Sequence, residues 1–381
     1  PPAFLQPILD VLNLLVTHYG VTLVLCTATQ PALSSTDYFD ASKNLDGLQN
    51  VREIIDNPDA LFAALKRVQV ELPPDWTTPT PWADIAAQLS AEDCVLAIVN
   101  TRKAARELQR LMPEGTLHLS ALMCGAHRKD VIAHIKERLK AKREGRDTRP
   151  LRVVSTQLVE AGVDIDFPVV YRALAGLDSI AQAAGRCNRE GRMEGKGRVV
   201  VFVPPEKPPL GHLRKGADAC ISTLHGHAHD PQHDPLARGL FARYFTEFYH
   251  SVDLDQHRVA NMLTVQPRDL AVKFRTAADA FRLIDDAESV TVVVRYAAHQ
   301  EHIDSLLNTL ATEGPQRWLM RKLQRYTVTI PQRLATPMLN QGDLTLPMPG
   351  LYVLANTDNL YSNILGLVSD ADVYNPSGFA L

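Results

Sequence analysis

Four short segments of this 381-residue chain carry side chains suited to binding phosphate groups. They are residues 26–31, 100–103, 155–166 and 182–191, and each comes after a strand that the sequence predicts. Hydroxyl groups and helix N-termini can bind phosphate oxygens, and planar guanidinium groups suit a triphosphate. Because functional residues of an α/β sheet collect at the carboxyl ends of its strands, these segments predict one common site.

The third and fourth segments give the most specific expectations. In the third, Gly162 allows a positive φ or a close backbone approach, and Asp164 can accept a hydrogen bond from a ribose hydroxyl. In the fourth, Gln182, Arg186 and Arg189 have i, i+4 and i+7 spacing, which predicts that they share one helical face. That face would present two guanidinium groups to phosphates.

Three of the four segments also have a plainer structural explanation. The first fits a strand-to-turn junction, and Asn100 or Thr101 in the second can cap a helix. Arginines that follow a glycine-containing helix fit a solvated basic face. The order of the segments within one block, rather than any single segment, favours the functional interpretation.

The elements that must position these segments alternate between helices and strands. A helix from Pro7 that stops at Gly20 comes first. Strands are predicted at residues 21–25, 67–72, 94–99, 116–119, 151–155, 169–173 and 197–203, with helices at 60–66, 82–89, 102–111, 127–143 and 179–186. This alternation predicts an α/β fold class, a parallel sheet with helices on both faces. After the prolines at 204–209, the pattern predicts a mainly helical linker and then a small α+β domain.

The composition bounds the kind of protein. There are 43 acidic and 40 basic side chains, a net charge of −3, and 45% of the residues are hydrophobic, as is typical of globular proteins. The five cysteines include no C-x-x-C pair, which argues against a zinc ribbon or disulfide scaffold and favours a reducing cytoplasm. The longest apolar stretch, residues 8–27, is interrupted by polar side chains, so we expect no membrane partner.

Three further features of the sequence could serve a function. Residues 128–152 hold ten basic and four acidic side chains, a local net of +6, which fits a solvated helix or a surface for DNA or a partner. The histidine-rich loop His225–His233 is broken by prolines, and we expect no metal site there. The three tryptophans are far apart in sequence, and we expect all of them to serve packing: Trp76, Trp82 and Trp318.

The four segments resemble the later motifs of superfamily 2 helicases. Thr27-Ala28-Thr29 is similar to motif III and Asn100-Thr101 to motif IV. Thr156 through Asp164 is similar to motif V, and Gln182 through Arg189 is similar to motif VI. The Q-x-x-G-R-x-x-R form of the last is the most specific of them.

Within that superfamily, residues 25–32, 155–160 and 185–191 closely resemble the CRISPR-associated helicase-nuclease of type I systems. The resemblance covers most of residues 1–205 and is weaker in the tail, at residues 323–328. It implies a RecA-like lobe that, with a second such lobe, clamps ATP and moves 3′ to 5′ along single-stranded DNA. A separate HD domain would cut the strand after recruitment by the crRNA-guided surveillance complex, in the cytoplasm of a prokaryote.

The resemblance also implies the ligands and their residues. ATP and Mg²⁺ would be bound mainly by the first lobe, and a transition metal would belong only to the HD domain. Gly162 and Asp164 would lie beside the nucleotide sugar, and Gln182 would face the phosphates or the attacking water. Arg186 and Arg189 would act as arginine fingers.

The remaining roles concern DNA and coupling between lobes. Thr27, Ala28 and Thr29 would link the ATP state to lobe movement. The expected DNA contacts are Thr101, Arg102, Arg128, Thr156 and Gln157.

One departure from the family pattern limits these expectations. The sequence has no G-x-x-x-x-G-K-[ST] loop and no Asp-Glu pair before motif III, and both belong to a first lobe. We therefore expect the chain to begin after them and not to hydrolyse ATP alone. The expected domains are the end of the first lobe (1–35), the second lobe (36–205), the linker (206–285) and the C-terminal domain (286–381).

Two alternatives stay open at this point. The chain could come from another DEAH-like superfamily 2 helicase. It could instead be a non-catalytic module that grips DNA or a protein partner and derives from such a helicase.

Overall fold

The computed structural model describes residues 2–27, 29–38, 40, 43–225, 234–265, 270–283, 288–355 and 360–368. Helix α1 (Leu5–Tyr19) ends at Gly20, which has a left-handed φ of 65°, as predicted. The strand predicted at residues 21–25 is wrong, because these residues have no regular structure and Val24 is 69% exposed. Within the described residues no strand lies beside them, so their backbone groups have no ladder to join.

Six parallel strands form the first sheet. They are β1 (Val68–Glu71), β2 (Cys94–Val99), β3 (Leu117–Leu119), β4 (Leu151–Thr156), β5 (Val169–Ala173) and β6 (Gly197–Phe202). Their spatial order is β1-β6-β5-β2-β4-β3. The helices before and between them are α2 (Pro58–Ala64), α3 (Trp82–Ala91), α4 (Arg102–Leu111), α5 (Gly125–Arg143) and α6 (Leu177–Ala184). This unit, named the lobe below, confirms the predicted α/β class.

Successive residues of β2 face two separate cores. Leu96 and Ile98 pack with side chains that include Ile135 of α5. Val95, on the other face, packs with side chains that include Leu89 of α3. Because β2 is buried on both faces, its sequence is a continuous apolar run rather than an alternating one.

In the described residues that follow the lobe, the chain is helical: α7 (His212–Leu224), α8 (Arg238–Ser251), α9 (Val259–Leu263) and α10 (Phe274–Ala280). Tyr244 of α8 fixes this segment to α6, because its hydroxyl donates to Asp178 Oδ1 at 2.7 Å. Gly176 leaves room for that hydroxyl, since a Cβ there would lie 2.3 Å from the Tyr244 oxygen. The helical segment therefore supports the helix that leads into residues 182–191.

A mixed sheet of order β8-β7-β10-β9 forms the C-terminal domain. Its strands are β7 (Ser289–Val293), β8 (Thr327–Pro331), β9 (Leu344–Met348) and β10 (Leu351–Leu354). Helices α11 (Gln300–Glu313), α12 (Arg317–Leu323) and α13 (Gln332–Asn340) accompany them, and the hairpin β11 (Tyr361–Ser362) and β12 (Gly366–Leu367) follows. The predicted small α+β domain is confirmed. None of the described helices has the length and apolar content needed to cross a bilayer.

His127, in the first turn of α5, joins the lobe to the C-terminal domain. Its Nε2–H donates to the carbonyl of Asn363 at 3.0 Å, so Nδ1 accepts from the Tyr361 hydroxyl, also at 3.0 Å. That hydroxyl accepts from the backbone N of Cys124 at 3.0 Å, and the imidazole stacks on Tyr296. Burial lowers the pKa of His127, which favours this neutral form.

Candidate functional site

The carboxyl ends of β4, β2 and β5 lie side by side at one edge of the first sheet. Asn100, directly after β2, is buried and donates from Nδ2 to the carbonyl of Leu174, directly after β5, at 2.7 Å. The neighbouring strand β4 leads into residues 155–166. The sheet therefore places the segments after these three strands next to one another.

Thr101 is the N-cap of α4. Its hydroxyl oxygen accepts from the backbone N of Ala104 at 3.0 Å, the usual arrangement of a capping threonine. Arg102 is the first residue of the helix and is half-buried. The capping interpretation of Thr101 is therefore correct, and a DNA contact by Thr101 or Arg102 stays a prediction.

A buried ion pair connects β5 to the segment after β4. Arg172 Nε lies 2.8 Å from Glu160 Oε1, and both side chains are buried. Arg172 Nη1 also donates to Asn100 Oδ1 and to the carbonyl of Ala173, both at 2.7 Å. Burial raises the pKa of Glu160, and the charge of Arg172 opposes that rise. Sequence reasoning missed this pair, although an arginine inside the apolar strand β5 is the feature that could have indicated it.

The segment after β4 turns at Gly162. Thr156 ends the strand with a nearly buried side chain, and the half-buried Gln157 begins a single 3-10 turn. Gly162 is exposed and has a φ of 71°, a conformation that glycine adopts without strain. Asp164 follows at the surface.

Helix α6 ends at Ala184, earlier than predicted. The chain then pairs with Phe167, whose N donates to the carbonyl of Arg186 and whose carbonyl accepts from the N of Asn188, both at 2.9 Å. This pairing takes residues 186–188 out of helical conformation. The expectation of one helical face is therefore wrong for Gln182, Arg186 and Arg189.

Arg186 is buried against the segment after β4. Its Nε donates to the carbonyl of Val159 at 2.6 Å, and its Nη2 donates to the carbonyl of Glu160. Burial, and then the charge of Arg189, lower the pKa of this guanidinium. The Arg186 side chain thus fastens residues 182–191 to residues 155–166.

Arg189, in contrast, lies at the surface. Its side chain is 43% exposed, and its Nε lies 3.0 Å from Asp164 Oδ1. The backbone N of Arg189 donates to Asp166 Oδ1 at 2.7 Å, which orients the loop. Gln182 is half-buried on α6. The structure therefore brings together Asp164 and Arg189, two predicted nucleotide contacts from different segments.

The predicted coupling segment makes only a local contact. The Thr27 hydroxyl donates to the carbonyl of Thr29 at 3.0 Å, and no hydrogen bond or ion pair among the described residues joins either threonine to the cluster above. Ala28 lies outside the described residues. The coupling role stays a prediction.

Much of the basic segment at residues 128–152 serves local structure. Arg138 Nε lies 2.6 Å from Asp147 Oδ2. Arg152 donates to three carbonyl groups at the end of α3, those of Leu89, Ser90 and Glu92. Arg128 is half-buried in the first turn of α5, and its DNA contact stays a prediction.

No group of three or more potential metal ligands occurs among the residues that the structure describes. Residues 226–233 lie outside them, so the expectation for His225–His233 stays a prediction. The tryptophans divide into two kinds. Trp76 and Trp82 are buried, as packing requires, whereas Trp318 is 46% exposed on the outer side of α12. The assignment of Trp318 to packing is therefore wrong, because Leu319 and Leu323 form the inner side of that helix.

Part of the chain is similar to a known protein family. Residues 91–192 match the family described as CRISPR-associated nuclease/helicase Cas3, C-terminal. This part of the chain is therefore similar to a Cas3 C-terminal region. The matched residues include the whole set from Asn100 to Arg189.

Two curated Cas3 proteins are similar to part of the chain. Cas3 of Haloferax volcanii is 34% identical over 158 residues, which are 37% of this chain and 15% of that protein. Cas3 of Methanothermobacter thermautotrophicus is 28% identical over 141 residues, 35% of this chain and 16% of that protein. The matched region is therefore less than a fifth of the length of either relative.

Two solved Cas3 structures share the fold. T. fusca Cas3 with ADP gives a TM-score of 0.55 at 16% identity, over 79% of this chain and 41% of that chain. T. fusca Cas3 with ATP gives 0.52 at 17% identity, over 80% and 42%. The first sheet of this chain is thus a RecA-like lobe, followed by helices and a small mixed sheet.

Proposed function

We propose that the chain is the second motor lobe, linker and C-terminal domain of an ATP-dependent helicase that moves 3′ to 5′ along single-stranded DNA. It would act with an HD nuclease domain in type I CRISPR interference and degrade foreign DNA after recruitment by the crRNA-guided surveillance complex. The observation that carries the proposal is the meeting of Asp164 and Arg189 beside the buried Arg186, within a region similar to Cas3.

The Asp164–Arg189 pair can exchange partners when ATP binds. Both side chains reach solvent, 68% and 43% exposed, so their mutual attraction is weak. A triphosphate would draw the guanidinium away from the carboxylate and leave Asp164 to accept a ribose hydroxyl. Arg189 would then stabilise charge that develops on the transferred phosphoryl group, an effect worth about 10³–10⁵ in rate for arginine fingers.

Before ATP binds, Arg186 differs from Arg189 in its partners, which are backbone carbonyls and not a carboxylate. Its hydrogen bonds to backbone carbonyls make residues 155–166 and 182–191 one mechanical unit. When the lobes close, phosphate oxygens would replace those carbonyls as acceptors for its guanidinium. The phosphate loop and the Mg²⁺ ligands would be supplied by a first lobe.

The DNA strand would follow the segments after β2 and β4. Thr101 and Arg102 begin α4, Thr156 and Gln157 follow β4, and Arg128 lies in the first turn of α5. Hydroxyl, amide and guanidinium groups contact phosphates without reading bases. Movement would therefore depend little on sequence.

The test uses a two-lobe protein in which this chain follows a phosphate-loop lobe. Arg189→Ala should lower DNA-stimulated ATP turnover by about 10³-fold or more and change DNA affinity only a few-fold. The matched control is Arg192→Ala, because Arg192 is exposed on the same loop and pairs with Glu190 at 2.6 Å. Equal effects of the two substitutions, or equal loss of turnover and DNA binding, would contradict the proposed role.

A recruitment assay and the turnover assay each separate this proposal from one of the two alternatives. The proposed protein binds a surveillance complex that is loaded on target DNA, whereas another DEAH-like helicase does not. A non-catalytic module would show no ATP turnover in the two-lobe protein, either as wild type or with Arg189→Ala or Arg192→Ala.

A further inference from the structure

Helix α12 presents an aromatic and basic surface to solvent. Residues 317–325 contain four basic side chains and no acidic one. Because Trp318 and Lys322 are four residues apart, as are Arg317 and Arg321, they share one side of the helix. The α12 face is defined as the exposed side chains Arg317, Trp318, Arg321, Lys322 and Arg325.

The packing of the C-terminal domain holds this face outward. Leu319, Leu323 and Tyr326 are buried in the core of the domain. The Tyr326 hydroxyl also bonds to His299 Nδ1 at 3.1 Å. Helix α12 therefore cannot rotate to bury its tryptophan, and the exposure of Trp318 is a fixed property of the fold.

The basic side chains of the α12 face form no ion pair within the described residues. None of its four basic groups pairs with a carboxylate in the described part of the chain. This differs from residues 128–152, where Arg138 and others have acidic partners. The Lys322 ammonium lies 5.0 Å from the centroid of the Trp318 ring, a cation–π contact that places a positive charge beside the aromatic surface.

The α12 face adjoins the lobe near Arg128. A Cβ on Gly125, the first residue of α5, would lie 3.3 Å from the carbonyl oxygen of Arg325. Asp130 of the same helix lies 3.6 Å from His299. The turn that follows α12 therefore packs on the helix turn that carries Arg128.

We propose that the α12 face binds single-stranded DNA, with Trp318 stacked on a base and the surrounding cations on the phosphates. A flat aromatic ring, among cations that lack an ion-pair partner in the described part of the chain, matches the two chemical features of a single strand, exposed base faces and a polyanionic backbone. An acidic protein surface would use the charges but not the ring. The proposal rests on the proposed function, in which a DNA strand reaches Arg128. It adds a DNA contact outside the motor lobe.

The experiment measures binding of the full chain to two labelled oligonucleotides by fluorescence anisotropy, oligothymidine and an abasic strand of equal length. Wild type should prefer oligothymidine, because only that strand can stack. Trp318→Ala should weaken oligothymidine binding by between about fivefold and a hundredfold and leave abasic binding nearly unchanged. Trp318→Phe, which keeps an aromatic ring, should restore most of the preference.

The charge arm uses Arg321→Ala with Arg325→Ala. The double variant should weaken both strands and reduce the slope of log affinity against log salt by about 0.7 per lost phosphate contact. Leu346→Ala, which removes an exposed apolar side chain from β9 of the same domain, is the control and should change neither.

The proposal is overturned if Trp318→Ala keeps the wild-type preference for oligothymidine. It is also overturned if polyglutamate competes as well as oligothymidine, which would assign the face to an acidic protein. Absence of DNA-stimulated ATP turnover in the two-lobe protein, with this binding intact, would refute the motor role alone. Loss of binding in Arg128→Ala but not in Trp318→Ala would refute the α12 face alone.

Discussion

Breaking the buried Arg172–Glu160 ion pair should destabilise the lobe more than any surface charge change. Arg172 is 0% exposed and Glu160 is 7% exposed, with Nε and Oε1 2.8 Å apart. Glu160→Gln keeps the shape of the side chain and removes its charge. A guanidinium cannot release its proton in a protein, so Arg172 would stay charged, and its remaining hydrogen-bond acceptors, Asn100 Oδ1 and the carbonyl of Ala173, are neutral.

The expected cost follows from that burial. Removing one partner of a buried pair costs about 3–5 kcal/mol, because the other charge is left uncompensated. Replacing both partners by apolar side chains is often neutral, since neither charge then has to be desolvated. The double variant Glu160→Met with Arg172→Met should therefore be more stable than Glu160→Gln alone.

Urea unfolding followed by tryptophan fluorescence measures these differences. A Trp318→Phe background leaves the signal to the buried Trp76 and Trp82. The control is Glu144→Gln, which breaks an exposed pair with Arg146 and should cost less than about 1 kcal/mol.

The free energy of unfolding of Glu160→Gln decides whether the buried ion pair has the expected effect. A cost below about 1 kcal/mol, equal to that of the surface control, would show that Arg172 does not need the Glu160 charge. Additive effects of Glu160→Met and Arg172→Met in a double-mutant cycle would also contradict a buried ion pair, because such a pair gives a coupling energy.

Two further predictions concern thiols and pH. In the native chain only Cys26 should react quickly with Ellman's reagent, because it is exposed, whereas burial raises the pKa of Cys94 and Cys187 to about 12 and the other two are buried. A second fast thiol would contradict this. Burial, and then the charge of Arg106, lower the pKa of His118 to about 4, below its unfolded value of 6.5. The unfolded chain then binds more protons between these values, so stability should fall as pH falls from 6.5 to 4. His118→Leu should make that fall shallower, and stability curves parallel to wild type would count against a neutral buried His118.

The elements that the sequence predicts best are those whose own residues decide their structure. Strands β2 and β5 have the predicted bounds, because a continuous apolar run buried on both faces has few alternatives. Helix α4 likewise matches, since Thr101 caps one end of an amphipathic pattern. Gly20 ends α1 because glycine adopts the left-handed conformation easily.

The wrong predictions occur where residues distant in the sequence determine the local structure. Residues 21–25 have the composition of a buried strand, but no neighbouring strand pairs with them among the described residues. The end of α6 depends on backbone pairing with Phe167, which spacing within the helix cannot show. The Arg172–Glu160 pair and the exposure of Trp318 likewise follow from tertiary packing.

The candidate site was predictable in its members more than in its geometry. Asp164 follows a strand and Arg189 follows a helix of the same α/β unit, which indicates that they meet. Arg189 Nε and Asp164 Oδ1 lie 3.0 Å apart. Arg186 is buried against backbone carbonyls, whereas Arg189 lies at the surface. This difference follows from the turn after Gly185. Residue spacing alone predicts that these two arginines share one helical face.

The decisive property of a motor lobe is ATP turnover in the presence of single-stranded DNA. It is measured on this chain alone and on a two-lobe protein in which the chain follows a phosphate-loop lobe. We expect no turnover by the chain alone, DNA-stimulated turnover by the two-lobe protein, and loss of about 10³-fold or more in Arg189→Ala. Turnover by the chain alone, or an Arg189→Ala protein as active as Arg192→Ala, would contradict the proposed motor role.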